Sequence, residues 1–176
     1  MKFLTRRINI IFFCGFLFFI DRWLKWQALH GWANDRLVNR WLGWHPFLNP
    51  GVAFGIPLPS WLIIILTVPV LGLILFLIFK HETANTPPSP PARGDLSIPP
   101  SQGGTRGVLA NYSLLLIFFG ALSNLIDRVL YGHTVDYFLI LTAVINVADV
   151  MIVAGFVIYF LGKSEIHFDP FVKGRV

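Results

Sequence analysis

The sequence predicts an all-α membrane protein: four transmembrane helices carrying a small non-cytoplasmic segment rich in β-strand and tryptophan. Three observations predict this class. Hydrophobic residues fill 55% of the 176 positions and charged residues only 13%, at a mean hydropathy of +0.67, whereas soluble domains are about a quarter charged. Long apolar runs recur four times along the chain. All six tryptophans fall in one stretch, from Trp23 to Trp61, as expected where rings gather at a membrane boundary. A chain of this length reads as a single domain, here one integral membrane domain over 1–176.

The first span is expected over about 8–29. It opens with "INIIFFCGFLFFI" (8–20) and continues through Asp21. "MKFLTRR" resembles the charged start of a secretory signal, but no small-x-small cleavage site follows, so the span is read as uncleaved. Cys14 is the only cysteine, which leaves no disulfide framework, and it is expected to be a membrane-facing packing residue. The outward segment 30–60 follows, with short strands expected around "RLVNRWLGW" and "PFLNPGVAFG". The second span, "WLIIILTVPVLGLILFLIF" (61–79), has 19 residues, about 28 Å as a helix. Pro69 is expected to kink it without ending it. Segment 80–107 is rich in Pro, Gly, Ser and Thr and is expected to be a disordered cytoplasmic loop. "VLANYSLLLIFFGALSNLI" (108–126) and "NVADVMIVAGFVIYFLG" (146–162) are the third and fourth spans.

Four spans place both termini on one side. Lys2, Arg6, Arg7, Lys80, Arg93, Arg106, Lys163, Lys173 and Arg175 then share that side, which the positive-inside rule makes cytoplasmic. The net charge of +5 is thereby explained without a nucleic-acid partner, since the basic residues form no binding stripe. The five histidines are dispersed, without metal-ligand spacing. No metal and no cofactor is expected.

Polar residues at membrane depth are costly and usually face a bundle interior. Asp21, Lys25, Asn124, Asp127, Arg128, Asp136, Asn146 and Asp149 mostly lie near the outward ends of spans, so the four helices bring polar groups to one non-cytoplasmic region. Asp21 and Lys25, at i and i+4 with the acid first, read as a structural ion pair. Asp127 and Arg128 end the third span, where the arginine can satisfy loose carbonyls and Asp127 is expected to act through it. Nothing in the sequence joins Ser123 to Lys25. Asn146 and Asp149 form N-x-x-D at a helix start, an N-cap with an acid at its third position. Asp136, in "GHTVDYFLI", has no local cap role. Two carboxylates thirteen residues apart can meet across a turn and split into one base and one acid, the chemistry of water-activating aspartic proteases.

The chain resembles lipoprotein signal peptidase (signal peptidase II), a family of four-span aspartic peptidases of bacterial membranes. The resemblance rests on "DRWLK" (21–25), "NPGVAFG" (49–55), "GALSNLIDR" (120–128), "VDYF" (135–138) and "NVAD" (146–149), in order. It implies Asp136 and Asp149 as the catalytic dyad. It implies Asn49, Gly51, Ala53, Asn124, Arg128, Asn146 and Ala148 as residues that line or support the site, with Asp21 and Lys25 as a structural polar pair. The implied substrate is a prolipoprotein whose cysteine carries diacylglycerol, cut just before that cysteine. Membrane lipid is a further expected partner, inhibitors such as globomycin are expected to bind the dyad, and the chain is expected to be a monomer in the bacterial inner membrane with its site at the outer face. Two features depart from the family: Ser123 stands where glycine is usual, which narrows local packing, and loop 80–107 is long. A proton-relay transporter and a non-catalytic scaffold are the rival readings. The first needs polar groups through the full membrane depth, yet "LGLILFLIF" and "VAGFVIYF" carry no charge. The second has no use for two acids at one edge.

Overall fold

A computed structural model describes residues 2–51, 58–84 and 104–164. These form α1 (Lys2–Leu29), β1 (Arg36–Asn39), β2 (Leu42–Asn49), α2 (Ser60–Ala84), α3 (Gly104–Tyr131), β3 (Thr134–Ile140), β4 (Ala143–Ile145) and α4 (Val147–Ser164). Each expected span is helical, and α2 runs through Pro69. The helices overrun the expected bounds: α2 continues to Ala84, α3 begins at Gly104, and α3 passes Arg128 to end at Tyr131. Gly132 terminates α3 with a φ of 74°, the left-handed turn for which glycine carries no Cβ penalty, and its N–H bonds the Arg128 carbonyl at 3.0 Å. Residues 85–103, most of the expected loop, lie outside the described residues.

The helices are apolar on the outside and polar within. Phe12, Phe16, Phe19, Phe76, Val153 and Phe160 are exposed, while Asp21, Lys25, Ser113, Ser123 and Asp127 are fully buried. Water penalises that arrangement, and lipid favours it. By length and apolar composition, α2 over Ser60–Lys80 and α3 over Leu109–Tyr131 can cross a membrane, and Val147–Gly162 is a shorter apolar helix. Cys14 packs rather than facing lipid: it is buried among Ile10, Leu116 and Met151, where α1, α3 and α4 meet.

The strands form one antiparallel sheet in the order β1-β2-β3-β4. The stretch "RLVNRWLGW" folds as β1, a turn and the start of β2 rather than as one strand; β2 ends at Asn49 inside "PFLNPGVAFG", whose residues 52–55 lie outside the described residues; and β3 and β4 occupy what reads as a plain connection between spans. The register sets Phe47 opposite Asp136 and Asn49 opposite Thr134, which puts Asn49 diagonal to Asp136 on one face. The sheet joins the bundle through Trp44, which is buried and stacks on Tyr137 at 5.0 Å, while its indole N–H donates to the Trp32 carbonyl at 2.7 Å. Trp44 is therefore a core residue, unlike exposed Trp23, Trp26, Trp41 and Trp61.

Two glycines let α3 and α4 approach. A Cβ on Gly120 would lie 2.6 Å from the Ala148 carbonyl oxygen, and one on Gly155 would lie 2.7 Å from the Ser113 carbonyl oxygen. Backbone cannot yield as a side-chain tip can, so Gly120→Ala and Gly155→Ala are each expected to destabilise by about 1–3 kcal/mol. Gly72 has nothing within 4 Å, so Gly72→Ala is expected to be neutral or slightly stabilising. Thermal midpoints in detergent micelles check the contrast, and equal midpoints for the three variants would contradict the close α3–α4 contact.

Candidate active site

The site begins with the turn into α4. Asn146 caps the helix: its Oδ1 accepts from the Asp149 N–H at 2.8 Å, while the Asp149 Oδ2 accepts from the Asn146 N–H at 3.2 Å. This reciprocal pair is a capping box with Asp in the acidic place. It fixes the Asp149 side chain at a helix N-terminus, where negative charge is favoured. The amide of Asn124, on α3, donates to Asp149 Oδ1 at 2.8 Å.

Asn146 also reaches the other carboxylate. Its Nδ2 donates to Asp136 Oδ1 at 2.6 Å, and Asn49 donates to Asp136 Oδ2 at 2.9 Å. One asparagine therefore bridges Asp136 on β3 and Asp149 on α4. Asp136 is 1% exposed. Burial pushes its carboxyl up to about 6, reinforced by the charge of Asp149 and opposed by the bonds from Asn49 and Asn146.

Behind the pair lies a buried ionic network. Lys25 Nζ lies 2.9 Å from Asp21 and 2.7 Å from Asp127, and donates to Asn124 Oδ1 at 2.8 Å and Ser123 Oγ at 3.3 Å. Asp21 accepts from Ser123 Oγ at 2.6 Å, from the Tyr137 hydroxyl at 2.8 Å and from the Ala148 N–H at 3.1 Å. The expected Asp21–Lys25 pair is present. Asp127 does not act through Arg128: it pairs with Arg22 and Lys25 and accepts from the Val135 N–H at 3.2 Å. Asp127 and Arg128 are adjacent on a helix, so their side chains point about 100° apart. Arg128 instead donates to the Gly51 carbonyl at 2.6 Å, and its Nη1 is buried with no partner among the described residues.

Thus Asn49, Gly51, Asn124, Arg128, Asn146 and Ala148 gather around Asp136 and Asp149, while Asp21, Lys25 and Asp127 stand behind them. Ala53 lies outside the described residues. Sequence reasoning missed three participants. Ser123 links Asp21 to Lys25, so its hydroxyl connects rather than merely crowding the packing. Arg22 pairs with Asp127 and sits in the quoted "DRWLK". Tyr137, next to Asp136, is fully buried and accepts from the Val147 N–H at 3.0 Å while donating to Asp21. Burial, then the charge of Asp21, push its hydroxyl up, so it remains a donor.

The family model described as Signal peptidase (SPase) II matches residues 13–89 and 101–163. The lipoprotein signal peptidase of Caldanaerobacter subterraneus subsp. tengcongensis is 30% identical over 149 residues, covering 82% of this chain and 88% of that protein. That of Clostridioides difficile is 42% identical over 67 residues, 33% of this chain and 45% of its own length. A bacterial membrane enzyme solved by the in meso method at 2.3 Å shares the fold at a TM-score of 0.70 and 19% identity, covering 96% of this chain and 94% of its own. Another, at 1.9 Å, gives 0.66 and 20% identity, covering 90% and 94%.

The raised Asp136 carboxyl sets a pH dependence. The folded chain binds this proton more tightly than the unfolded chain, whose carboxyl titrates near 3.8. The associated stability is full below pH 3.8 and is lost as pH rises through about 6. Asp136→Asn is expected to flatten stability over that window and to leave the protein more stable than wild type above it, by roughly 3 kcal/mol at most. Denaturation midpoints from pH 4 to 8 check this, and an unchanged slope in the variant would refute it.

Proposed function

The chain belongs to the signal peptidase II family, and on that premise we propose that Asp136 and Asp149 are its catalytic pair. It is a peptidase that removes signal peptides from prolipoproteins. The observation that carries the dyad is the Asn146 bridge, which bonds to both carboxylates. In this reading the reactive form is the one in which Asp136 holds its proton, which burial makes easier to keep by pushing the carboxyl up to about 6, and Asp149 is the base. Asp149 takes a proton from water as its oxygen attacks the scissile carbonyl carbon, and Asp136 gives its proton to the carbonyl oxygen. Collapse breaks the C–N bond: the nitrogen leaves with the proton that Asp149 holds, and one hydroxyl of the tetrahedral carbon returns its proton to Asp136 as it becomes the new carbonyl. The Nη1 of Arg128, without a partner among the described residues, is free to donate to a substrate carbonyl, and Asn49, Gly51, Asn124, Asn146 and Ala148 hold the frame.

The bond cut is the one before a diacylglyceryl-modified cysteine. All four helices span the inner membrane with both termini cytoplasmic, so the sheet and the dyad sit at the outer face. The buried polar groups and exposed apolar helix faces support embedding in lipid, and the basic residues of the tails support the orientation. The chain works as a monomer, and globomycin-type inhibitors occupy the dyad.

Asp136→Asn and Asp149→Asn are each expected to lower cleavage of a diacylated prolipoprotein peptide by at least about 10²–10⁴ while the protein still accumulates. The double variant is expected to be no worse than either single one, because the acids act as a unit. Asp127→Asn is the contrast. It leaves Lys25 short of a counter-charge and is expected to cost about 3–5 kcal/mol of stability with part of the activity surviving. A well-folded, inactive Asp127→Asn beside an active Asp149→Asn would show that the wrong carboxylates were paired.

A further inference from the structure

The two hairpin tips of the sheet lie side by side. Leu42 pairs with Ile140, and the Leu141 N–H donates to the Trp41 carbonyl at 2.6 Å. Together they expose Val38, Trp41, Leu42, Ile140 and Leu141, an apolar prow projecting from a sheet held at the ends of lipid-facing helices. Two features make it more than scattered surface hydrophobicity.

The first is Leu141. It has a φ of 59° and is 67% exposed. Leucine is disfavoured in this region, where glycine or asparagine is the usual occupant. A branched apolar side chain is thus held in a disfavoured backbone conformation while it is offered outward from the described residues. The second is charge. The Arg40 guanidinium carbon lies 4.6 Å from the centre of the Trp41 ring, and that of Arg36 lies 5.4 Å from the centre of the Trp32 ring. Among the described residues neither arginine has an acidic partner, and nearby Asp35 is bonded to His45 at 2.9 Å. An aromatic ring with a cation on its face, beside exposed aliphatic tips, matches a lipid headgroup layer: apolar groups enter the acyl boundary and guanidinium meets phosphate.

We propose that the joined tips, through Trp41, Leu42, Ile140 and Leu141, insert into the adjoining leaflet and that Arg40 binds the phosphate of an anionic phospholipid there. This rests on the chain being a membrane protein and is independent of the catalytic assignment. Among the described residues this surface carries two arginines without an acidic partner against the single carboxylate of Asp35, a net positive balance that favours an anionic over a zwitterionic headgroup.

Tryptophan quenching by brominated lipid tests it on the full chain in phosphatidylcholine vesicles, with a brominated fraction of either phosphatidylcholine or phosphatidylglycerol. The difference between wild type and Trp41→Phe isolates the Trp41 signal. That signal is expected to be quenched, and more strongly by the brominated phosphatidylglycerol. Arg40→Gln is expected to reduce the preference for phosphatidylglycerol about fivefold. Leu141→Gly relaxes the backbone, so it is expected to keep or raise the thermal midpoint while weakening Trp41 quenching. The proposal is overturned if Trp41→Phe leaves the quenchable intensity unchanged, if both lipids quench equally, or if Leu141→Gly lowers the midpoint, since the leucine would then pack within the protein.

Discussion

An ammonium group with no access to water is the constraint on which the structure depends. Lys25 is fully buried on α1, and a lone cation in such a place is costly enough to unfold a domain. Its neutralisation recruits Asp21 one turn back and Asp127 on α3. Those carboxylates have lone pairs left over, and each reaches a further element. Asp127 takes the Val135 N–H of β3, and Asp21 takes the Ala148 N–H at the start of α4 and the hydroxyl of Tyr137. One charge thus registers α1, α3, β3 and α4 at the same height. Asp136 lies between Val135 and Tyr137, and Asp149 follows Ala148, so the proposed catalytic carboxylates are chain neighbours of groups the network holds.

Ion networks of this kind are weak sources of net stability, since desolvation offsets most of the attraction. Their effect here is selectivity among packings. The apolar helix faces are interchangeable in lipid, and large side chains such as Phe12 or Phe76 would tolerate rotation or sliding of a helix. A shift of one residue along α1 would strand Lys25 among apolar neighbours. The glycine contacts of α3 with α4 act in the same sense, because backbone against backbone fits in few registers.

What could be read from sequence follows from which interactions are local. The helices were legible because long apolar runs mark them, and the capping box was legible because Asn146 and Asp149 are three apart. The Asp21–Lys25 pair was legible for the same reason. Strands β3 and β4 were not: "TVDYFLILTAVI" is apolar on both faces of a strand, because one face meets the bundle and part of the other is exposed, so no alternation marks it. The partner of Asp127 was not legible either. Adjacency in sequence suggests Arg128, but helical geometry turns the two apart, and the true partners come from α1, 102 and 105 positions away. Ser123 to Lys25 is 98 positions apart. Such pairings are set by the packing of helices, which a single sequence does not encode in any local pattern.

Counting charge in this cluster bears on where the catalytic proton sits. Lys25, Arg22 and Arg128 supply three cations, whereas Asp21, Asp127, Asp136 and Asp149 supply four carboxyl groups. Lys25 and Arg22 are matched by Asp21 and Asp127, leaving Arg128 as the one further cation that feels the charge of Asp136 and Asp149. A low-dielectric site tolerates a net charge poorly, so a proton on one member of the proposed pair would stand in for the missing counter-ion. Both carboxyls accept from donors at both oxygens, but Asp149 alone has a helix N-terminus to support its charge. Asp136 sits on a strand with no such dipole and is more deeply buried. The asymmetry favours the proton on Asp136, which is the arrangement that lets one carboxyl donate to a carbonyl while the other accepts from water. On this argument, the proposed acid and base are assigned by the secondary structure that carries each carboxyl: a strand for the acid and a helix start for the base.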